Sequence, residues 1–478
     1  MSQRAIELKA AAFLFAAALA GCAVSPEDAR PFAAESLETA KWQEEIDRAA
    51  AAGGGTVVVP AGRHRVAGLA LKSGVTLELA EGCVLEGSTN ISNYADIHLR
   101  YAEVPEPWQA VVWAEDQTNI AVVGKGTIDG NGLGFGQWLR VGRPRGMLFH
   151  RCANVRVEGI TMRSLASWTC YYKECDGVVH RDVKVYSHDN WNTDGVDIEA
   201  RNVLVENCRF DTGDDGIVLK SDNPFFAVED VLVRNCDIGT SCNVFKIGTA
   251  SHGAFRRIRF ENVRGHSATG ALPLEKDRIH CNKWRREGWP GLESPKDPLG
   301  GIVVECVDGA CLEDVSFKDI DLGRVNVPIF IRAGMRRSRT AFGKPLGIPF
   351  GTGLTLKDVR IENVRATGTS WTASSITGVP GLRIDGVTLK NVEISVPGAG
   401  EAGAKDLTLG PVPEKVNSYP ESNMFDNRIL PAYGFYVRHA DNVRFENVRI
   451  TLRGADPRPR IVTDDCRNFD IMPQNEAK

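Results

Sequence analysis

Asp194, Asp214 and Asp215 are the residues whose type and spacing could do chemistry. They sit in two phrases of one pattern: Asn192-Thr193-Asp194-Gly195-Val196-Asp197-Ile198 aligns with Gly213-Asp214-Asp215-Gly216-Ile217-Val218-Leu219. Each phrase ends in a short alternating run, the signature of a β-strand with one buried face. Two matching strands one repeat apart are expected side by side, and neighbouring strands lie about 4.8 Å apart. That register stacks Asp194 on Asp215, with Asp214 one residue away. Carboxyls so close repel one another, which pushes at least one pKa upward. One protonated and one ionised carboxyl is what glycoside hydrolysis requires. Asp and Asn beside Gly are also ordinary turn residues. The repetition in register is what favours a site over a pair of surface turns.

The elements that must hold these carboxyls form a degenerate repeat. From residue 154 onward the chain reads NVRVEGI, GVVHRDVKV, NVLVENCRF, DVLVRNCDI, RRIRFENV, LEDVSFKDI, LKDVRIENV, RIDGVTLKNV and NVRFENVRI. Its phase is marked by Gly159, Asp182, Asn207, Asn235, Asn262, Asp319, Asn363, Asn391 and Asn447. A repeat of this length, made of strand and turn alone, is one rung of a solenoid. Stacked rungs bury a continuous apolar interior, and Asn at each turn can build a hydrogen-bonded ladder. The expected fold is all-β, a single-stranded parallel β-helix from about residue 54 to the C-terminus. A propeller would need about four strands in each repeat of 40 or more residues. Residues 36–52 read as a short helix, with Leu37, Trp42 and Ile46 apolar and Gly53-Gly54-Gly55 ending it. It is expected to cap the open end of the solenoid. Loop insertions are expected at about 267–300, carrying Lys276, Arg278, His280, Trp284, Arg285, Arg286 and Trp289, and at about 397–433, carrying Tyr419, Phe425 and Tyr433. Long loops on a solenoid are candidates for a cleft wall.

The 478 residues carry a net charge of −4, which gives no basis for binding nucleic acid. Arg4 and Lys9 precede an apolar run, Ala10 to Ala20, too short to span a bilayer. The run closes Leu19-Ala20-Gly21-Cys22 and resembles a bacterial lipoprotein signal. The expectation is export, with Cys22 lipidated and membrane contact made through that anchor alone. Residues 23–53 then form a linker and the cap helix. Without Cys22, 11 of the 12 cysteines remain, an odd number that rules out complete pairing within one chain. Cys208 and Cys236, each after an Asn of the repeat, are expected to be small buried residues in a stack. No cysteine spacing suggests zinc.

With these residues in hand, the chain resembles glycoside hydrolase family 28, the polygalacturonase family. The likeness rests on GGGTVVVPAGRH near the start, GTIDGNG at 126–132, and above all NTDG at 192–195 and GDDG at 213–216. The resemblance implies a right-handed parallel β-helix (pectin-lyase-like) and an inverting hydrolase of pectin that uses no metal or other cofactor. It implies Asp214 as general acid, with Asp194 and Asp215 holding and activating the water. Two family motifs depart. Where the family has the His of Gly-His-Gly, aligning Ile247 with Leu219 places Asn243; His252, in Ser-His-Gly, follows beyond that strand. Where the family has Arg-Ile-Lys, this chain has Val303-Val304-Glu305. Those family cations are associated with the uronate carboxylate of the substrate, which a Glu would repel. Lys246, in the outward column of Asp197 and Val218, or Arg332, Arg278, Arg285 or Arg286, could supply the charge instead. Otherwise the sugar is neutral, as in a rhamnose-containing linkage.

The expected substrate contacts are therefore Asn192, Asn243, Lys246, His252, Glu305 and Trp191, with Trp168 one repeat earlier; indole faces pack on sugar C–H surfaces. The expected partner is a polysaccharide or oligosaccharide, and the expected state a monomer. Two other readings stay open. A polysaccharide lyase of the same shape would need Ca²⁺, which clustered Asp could bind. A β-helix that binds carbohydrate without cutting it would account for the missing His and cations.

Overall fold

The computed structural model describes residues 36–102, 107–135, 142–269, 291–293, 297–336, 348–422, 424–425 and 429–472. Cys22 and its leader lie outside these residues, as do Lys276, Arg278, His280, Trp284, Arg285, Arg286 and Trp289 of the first insertion.

The strands of the face that carries the carboxyls are β1 (Ala110–Glu115), β2 (Arg145–His150), β3 (Cys170–Arg181), β4 (Val196–Glu206), β5 (Ile217–Ser221), β6 (Asn243–Ser251), β7 (Gly300–Cys306), β8 (Val327–Ala333), β9 (Ser374–Thr377), β10 (Phe435–Leu452) and β11 (Ile461–Met472). Each pairs in parallel with the next. They belong to one 27-stranded sheet that coils as a right-handed parallel β-helix. Parallel strands need a crossover between them. Here the crossovers are the remaining strands of each rung, so the sheet closes on its own apolar interior.

Alternation sets what lies inside. Val196, Ile217, Phe245, Ile302 and Ile329 stand in register across β4 to β8 and are fully buried. Each such side chain contributes roughly 1.5–3 kcal/mol by leaving water. Phe245, Phe260 and Phe317 continue the stack, the last two face to face at 4.7 Å.

The turn ladder is present as expected. Asp182, Asn207, Asn235, Asn262, Asp319, Asn363, Asn391 and Asn447 all adopt φ between 52° and 57°, and Gly159 φ 79°. Asn and Asp reach this left-handed region at lower cost than other side chains. The Asn262 amide donates to Asn235 at 2.8 Å, Asn391 to Asn363 at 3.0 Å and Asn447 to Asn391 at 2.9 Å. Cys208 and Cys236 lie buried beside this turn, and the ten described cysteines are all free thiols.

Helix α1 (Thr39–Ala51) buries Trp42 and Ile46 at the start of the solenoid. Gln43 exchanges two hydrogen bonds with the Ala70 backbone, and Thr39 accepts one from the Ala67 amide. These side chains satisfy part of an otherwise open edge.

Candidate active site

Asp194 lies just before β4, and Asp214 and Asp215 just before β5. The ladder runs straight through them. The Thr169 amide donates to the Asp194 carbonyl at 3.0 Å, Gly195 to Asp215 at 2.9 Å, and Gly216 to Asn243 at 2.8 Å. Glycine follows each Asp because the rungs are tight there. A Cβ on Gly195 would fall 2.4 Å from the Gly216 carbonyl oxygen, and one on Gly216 2.4 Å from Ile238 Cγ2. Val196, Asp197 and Ile198 stand opposite Ile217, Val218 and Leu219, so the two phrases are in the register the sequence predicts.

The carboxyls differ in what holds them. Asp215 Oδ1 accepts from the Asn243 backbone at 3.0 Å and from its side-chain amide at 2.7 Å, while Oδ2 lies 3.4 Å from Lys246 Nζ. Converging donors and a cation suit an anionic carboxylate. Asp214 Oδ1 accepts from the Asp215 amide at 3.0 Å, and its carbonyl accepts from the Thr212 and Thr240 hydroxyls. Asp194 Oδ1 is buried with no hydrogen-bond partner among the described residues. Burial, with the charges of Asp197, Asp214 and Asp215 against the opposing Lys220, holds the Asp194 carboxyl well above the usual carboxylate range. The three retain only 3–5 % exposure.

A fourth carboxyl was not singled out from sequence. Asp197 is fully buried, 3.5 Å from Lys220, and burial pushes it up to about 7 against the pull of that lysine. Lys220 also lies 4.4 Å above the Trp168 ring. The signal was in the alternation of Val196-Asp197-Ile198-Glu199, which turns Asp197 outward from the core. One atom each of Asp214, Asp215 and Cys242 lies within 4.8 Å of the others. That mixed set of one thiol and two carboxylates does not suit Ca²⁺, which takes six to eight oxygens.

Residues 52–240, which hold all of these Asp residues, match the family model described as Glycosyl hydrolases family 28. Over that segment the chain is similar to glycosyl hydrolase family 28. It is 29% identical over 236 residues to the exo-poly-alpha-D-galacturonosidase of Dickeya chrysanthemi, covering 38% of this chain and 39% of that protein. It is 20% identical over 387 residues to a probable polygalacturonase of Vitis vinifera, covering 75% and 71%. The matches to the first two curated relatives thus span about two fifths of their length. Among solved structures, the family 28 exopolygalacturonase of Yersinia enterocolitica superposes with a TM-score of 0.67 at 19% identity, covering 93% of this chain and 77% of that one. The hyperthermoactive exopolygalacturonase of Thermotoga maritima gives 0.61 at 19%, covering 87% and 88%. These structures share the fold.

The remaining expected contacts divide. Asn243 does stand beside Asp215, as the alignment predicts, and its Oδ1 has no partner among the described residues. Asn192, at φ 54°, accepts from Arg143, which also donates to the Trp191 and Ala166 carbonyls. Its side-chain oxygen thus ties down the turn that presents Asp194. Trp191 is half-buried beside that turn, 5.7 Å from the Arg143 guanidinium.

Three expectations need correction. Lys246 shares the outward column with Val218 and Val303, but it is 3 % exposed and does not line an open groove. Glu421 lies 3.6 Å from it and the Tyr419 ring 6.0 Å. Burial opposes its charge, yet Asp215, Glu421, Tyr419 and Glu305 together hold the lysine well above its ordinary value. Glu305 is fully buried too, accepts from the Thr249 hydroxyl at 3.2 Å, and is pushed up to about 8 by burial, with Lys246 opposing and Glu421 and Asp215 adding to it. A neutral Glu305 does not repel a uronate as an ionised one would. His252 follows β6 in a buried set, with Nδ1 3.1 Å from the Ser221 carbonyl and Nε2 4.0 Å from Asp308, whose carboxylate is paired with Arg336. That is a structural setting. Arg332, a second candidate cation, is bound to the carbonyls of Gly378, Glu414 and Lys415.

Proposed function

We propose that this chain hydrolyses glycosidic bonds of pectic polysaccharide, of galacturonide or rhamnogalacturonan type, by inversion. Asp214 protonates the leaving oxygen; Asp215, with Asp194 on the adjacent rung, holds and deprotonates the water. The observation that carries this reading is the setting of Asp215 inside a buried carboxyl cluster. Asp215 receives two N–H donors and lies 3.4 Å from Lys246, which suits an ionised base. Asp194 on the adjacent rung, its carboxyl raised by burial, positions the water while Asp215 takes the proton, and Asp214, the third carboxyl of the cluster, serves as the acid. The match to glycosyl hydrolases across residues 52–240 supports the same reaction class.

Lys246 and Asn243 act through Asp215, which both hold, rather than on the sugar. Purified protein assayed on galacturonan and rhamnogalacturonan, with and without EDTA, tests the reading. Reducing ends without an unsaturated product, unchanged by EDTA, are expected. An unsaturated product that needs Ca²⁺ would instead identify a lyase, and binding without cleavage a lectin-like β-helix.

Export and lipid anchoring at Cys22 belong to the same proposal, supported by the leader pattern alone. The protein is expected to act as a monomer at a bacterial membrane surface or in the periplasm. Cys22→Ser should move it from the membrane to the soluble fraction; unchanged fractionation would count against the anchor.

A further inference from the structure

The face that carries the carboxyls is roofed on both sides of them. Toward the N-terminus, Trp113, Leu148 and Tyr171 lead in register to Asp197. They lie beneath Ile97 and Trp108, which pair across a hairpin with mutual backbone hydrogen bonds of 2.7 and 3.0 Å. Toward the C-terminus, Val303, Phe330 and Tyr436 lie beneath Val412, Phe425 and Leu430 of the second insertion. Residues 412–422 run along the helix axis as a strap, and successive residues meet successively earlier rungs. Arg438 of β10 donates to the carbonyls of Val412 at 2.7 Å and Pro413 at 3.0 Å. Arg332 of β8 donates to those of Glu414 at 2.8 Å and Lys415 at 3.2 Å. The Thr249 hydroxyl of β6 lies within hydrogen-bond distance of the Tyr419 hydroxyl at 3.1 Å, and Glu421 ends the run beside Lys246, which lies 3.4 Å from Asp215.

Cutting an internal bond requires sugar units seated on both sides of the scissile linkage, in a cleft open at both ends. Here both continuations are filled by apolar side chains packed against the sheet. Phe330, Leu148, Tyr171 and Trp108 are fully buried, and Phe425 nearly so. The strap is also fixed by buried arginines whose donors would be stranded if it left, at a cost of about 1–3 kcal/mol for each group. We infer that this chain attacks polysaccharide ends, taking a terminal sugar into a closed pocket between the hairpin and the strap, rather than cutting within the chain. The inference rests on the hydrolase reading above and deepens it.

Time-resolved product analysis of the full-length protein on long galacturonan and long rhamnogalacturonan, with viscosity followed in parallel, tests it. Chain-end attack predicts one short product from the earliest time points and viscosity almost unchanged while reducing ends accumulate. A ladder of intermediate oligomers with rapid loss of viscosity would overturn chain-end attack and leave the hydrolase reading standing. No cleavage of either polymer or of their oligosaccharides would overturn the hydrolase reading, and this inference with it. Phe425→Ala thins the apolar cover beside the strap without touching Lys246. If it folds with the wild-type circular dichroism spectrum, it should release longer products beside the short one. If it does not fold, the wild-type product pattern still decides.

Discussion

Two polar columns run along this solenoid, and they are built in opposite ways. The turn ladder of Asn207, Asn235, Asn262, Asn363, Asn391 and Asn447 is exposed, and its amides pass hydrogen bonds from rung to rung. The carboxyl column of Asp194 and Asp215 is buried and unevenly satisfied: Asp215 is held by Asn243 and Lys246, while Asp194 and Asp197 keep buried oxygens without hydrogen-bond partners among the described residues. Buried polar groups are nearly always paired. Where a fold keeps some that are not, the cost points to use. Repetition of a side chain along a β-helix is therefore ambiguous by itself, and burial and hydrogen bonding separate a strut from a site.

The sharpest way to break this comparison is to exchange atoms without changing shape. Asp214→Asn, Asp215→Asn and Asp194→Asn should each lower turnover by at least on the order of 10²-fold, because general acid–base steps are typically worth about 10²–10⁴-fold. Circular dichroism should show each still folded. Near-wild-type turnover in Asp214→Asn would remove it from the acid role.

A smaller loss is expected from Lys246→Met. It keeps the length of the buried stem but leaves Asp215 without its cation, and turnover should fall on the order of tenfold, equivalent to about 1.4 kcal/mol in the barrier. The acid limb of the pH–rate profile should move upward, since Asp215 would bind its proton more tightly. An unmoved limb would show that Lys246 does not act on Asp215.

Stability should depend on pH through the same cluster. Asp197 rises from the ordinary Asp value to about 7 on folding, and Glu305 to about 8. Their folded forms bind protons that the unfolded chain has released, so they favour folding at acid pH and that contribution is lost as pH rises toward 7–8. The melting temperature should therefore fall between about pH 5 and pH 8, and Asp197→Asn should flatten the slope. A melting temperature that rises across this window would contradict the assignment.

The ladder should behave as the opposite case. Asn235→Ala removes hydrogen bonds to Asn207 and Asn262 and forces Ala to φ 55°, at a cost of about 1–2 kcal/mol. Thermal melting should register the loss while kcat stays unchanged. A catalytic defect would mean that the two columns are not independent.

These contrasts also separate what the sequence could disclose from what it could not. Register was legible because it needs only periodicity: Ile247 with Leu219, Asn243 beside Asp215, and the left-handed turn at each Asn all follow from the repeat. The outward direction of Lys246 was legible for the same reason. Its burial was not, because residues 412–422 that cover it lie about 170 residues further on and carry no periodic signal. The strand position of Glu305 follows from the repeat in the same way, but its ionisation depends on burial and on Glu421 of that distant cover. His252 stands out by residue type alone, and the register shift between the Leu219–Ile247 and Ser221–Ser251 pairs takes the chain out of the repeat before reaching it. Asp197 lies in plain alternation within the first phrase, but its counterpart in the second is Val218, so the repeat does not mark it as acidic.

The most direct test of the central claim is the anomeric configuration of the first product, followed by proton NMR before mutarotation sets in. A carboxylate that activates water on the face opposite a protonated partner must invert that configuration. The account predicts the inverted anomer as the initial product, with the signal abolished in Asp214→Asn. Initial release of the retained anomer would mean that one of these carboxyls attacks the sugar itself, and would contradict the roles assigned to Asp194, Asp214 and Asp215.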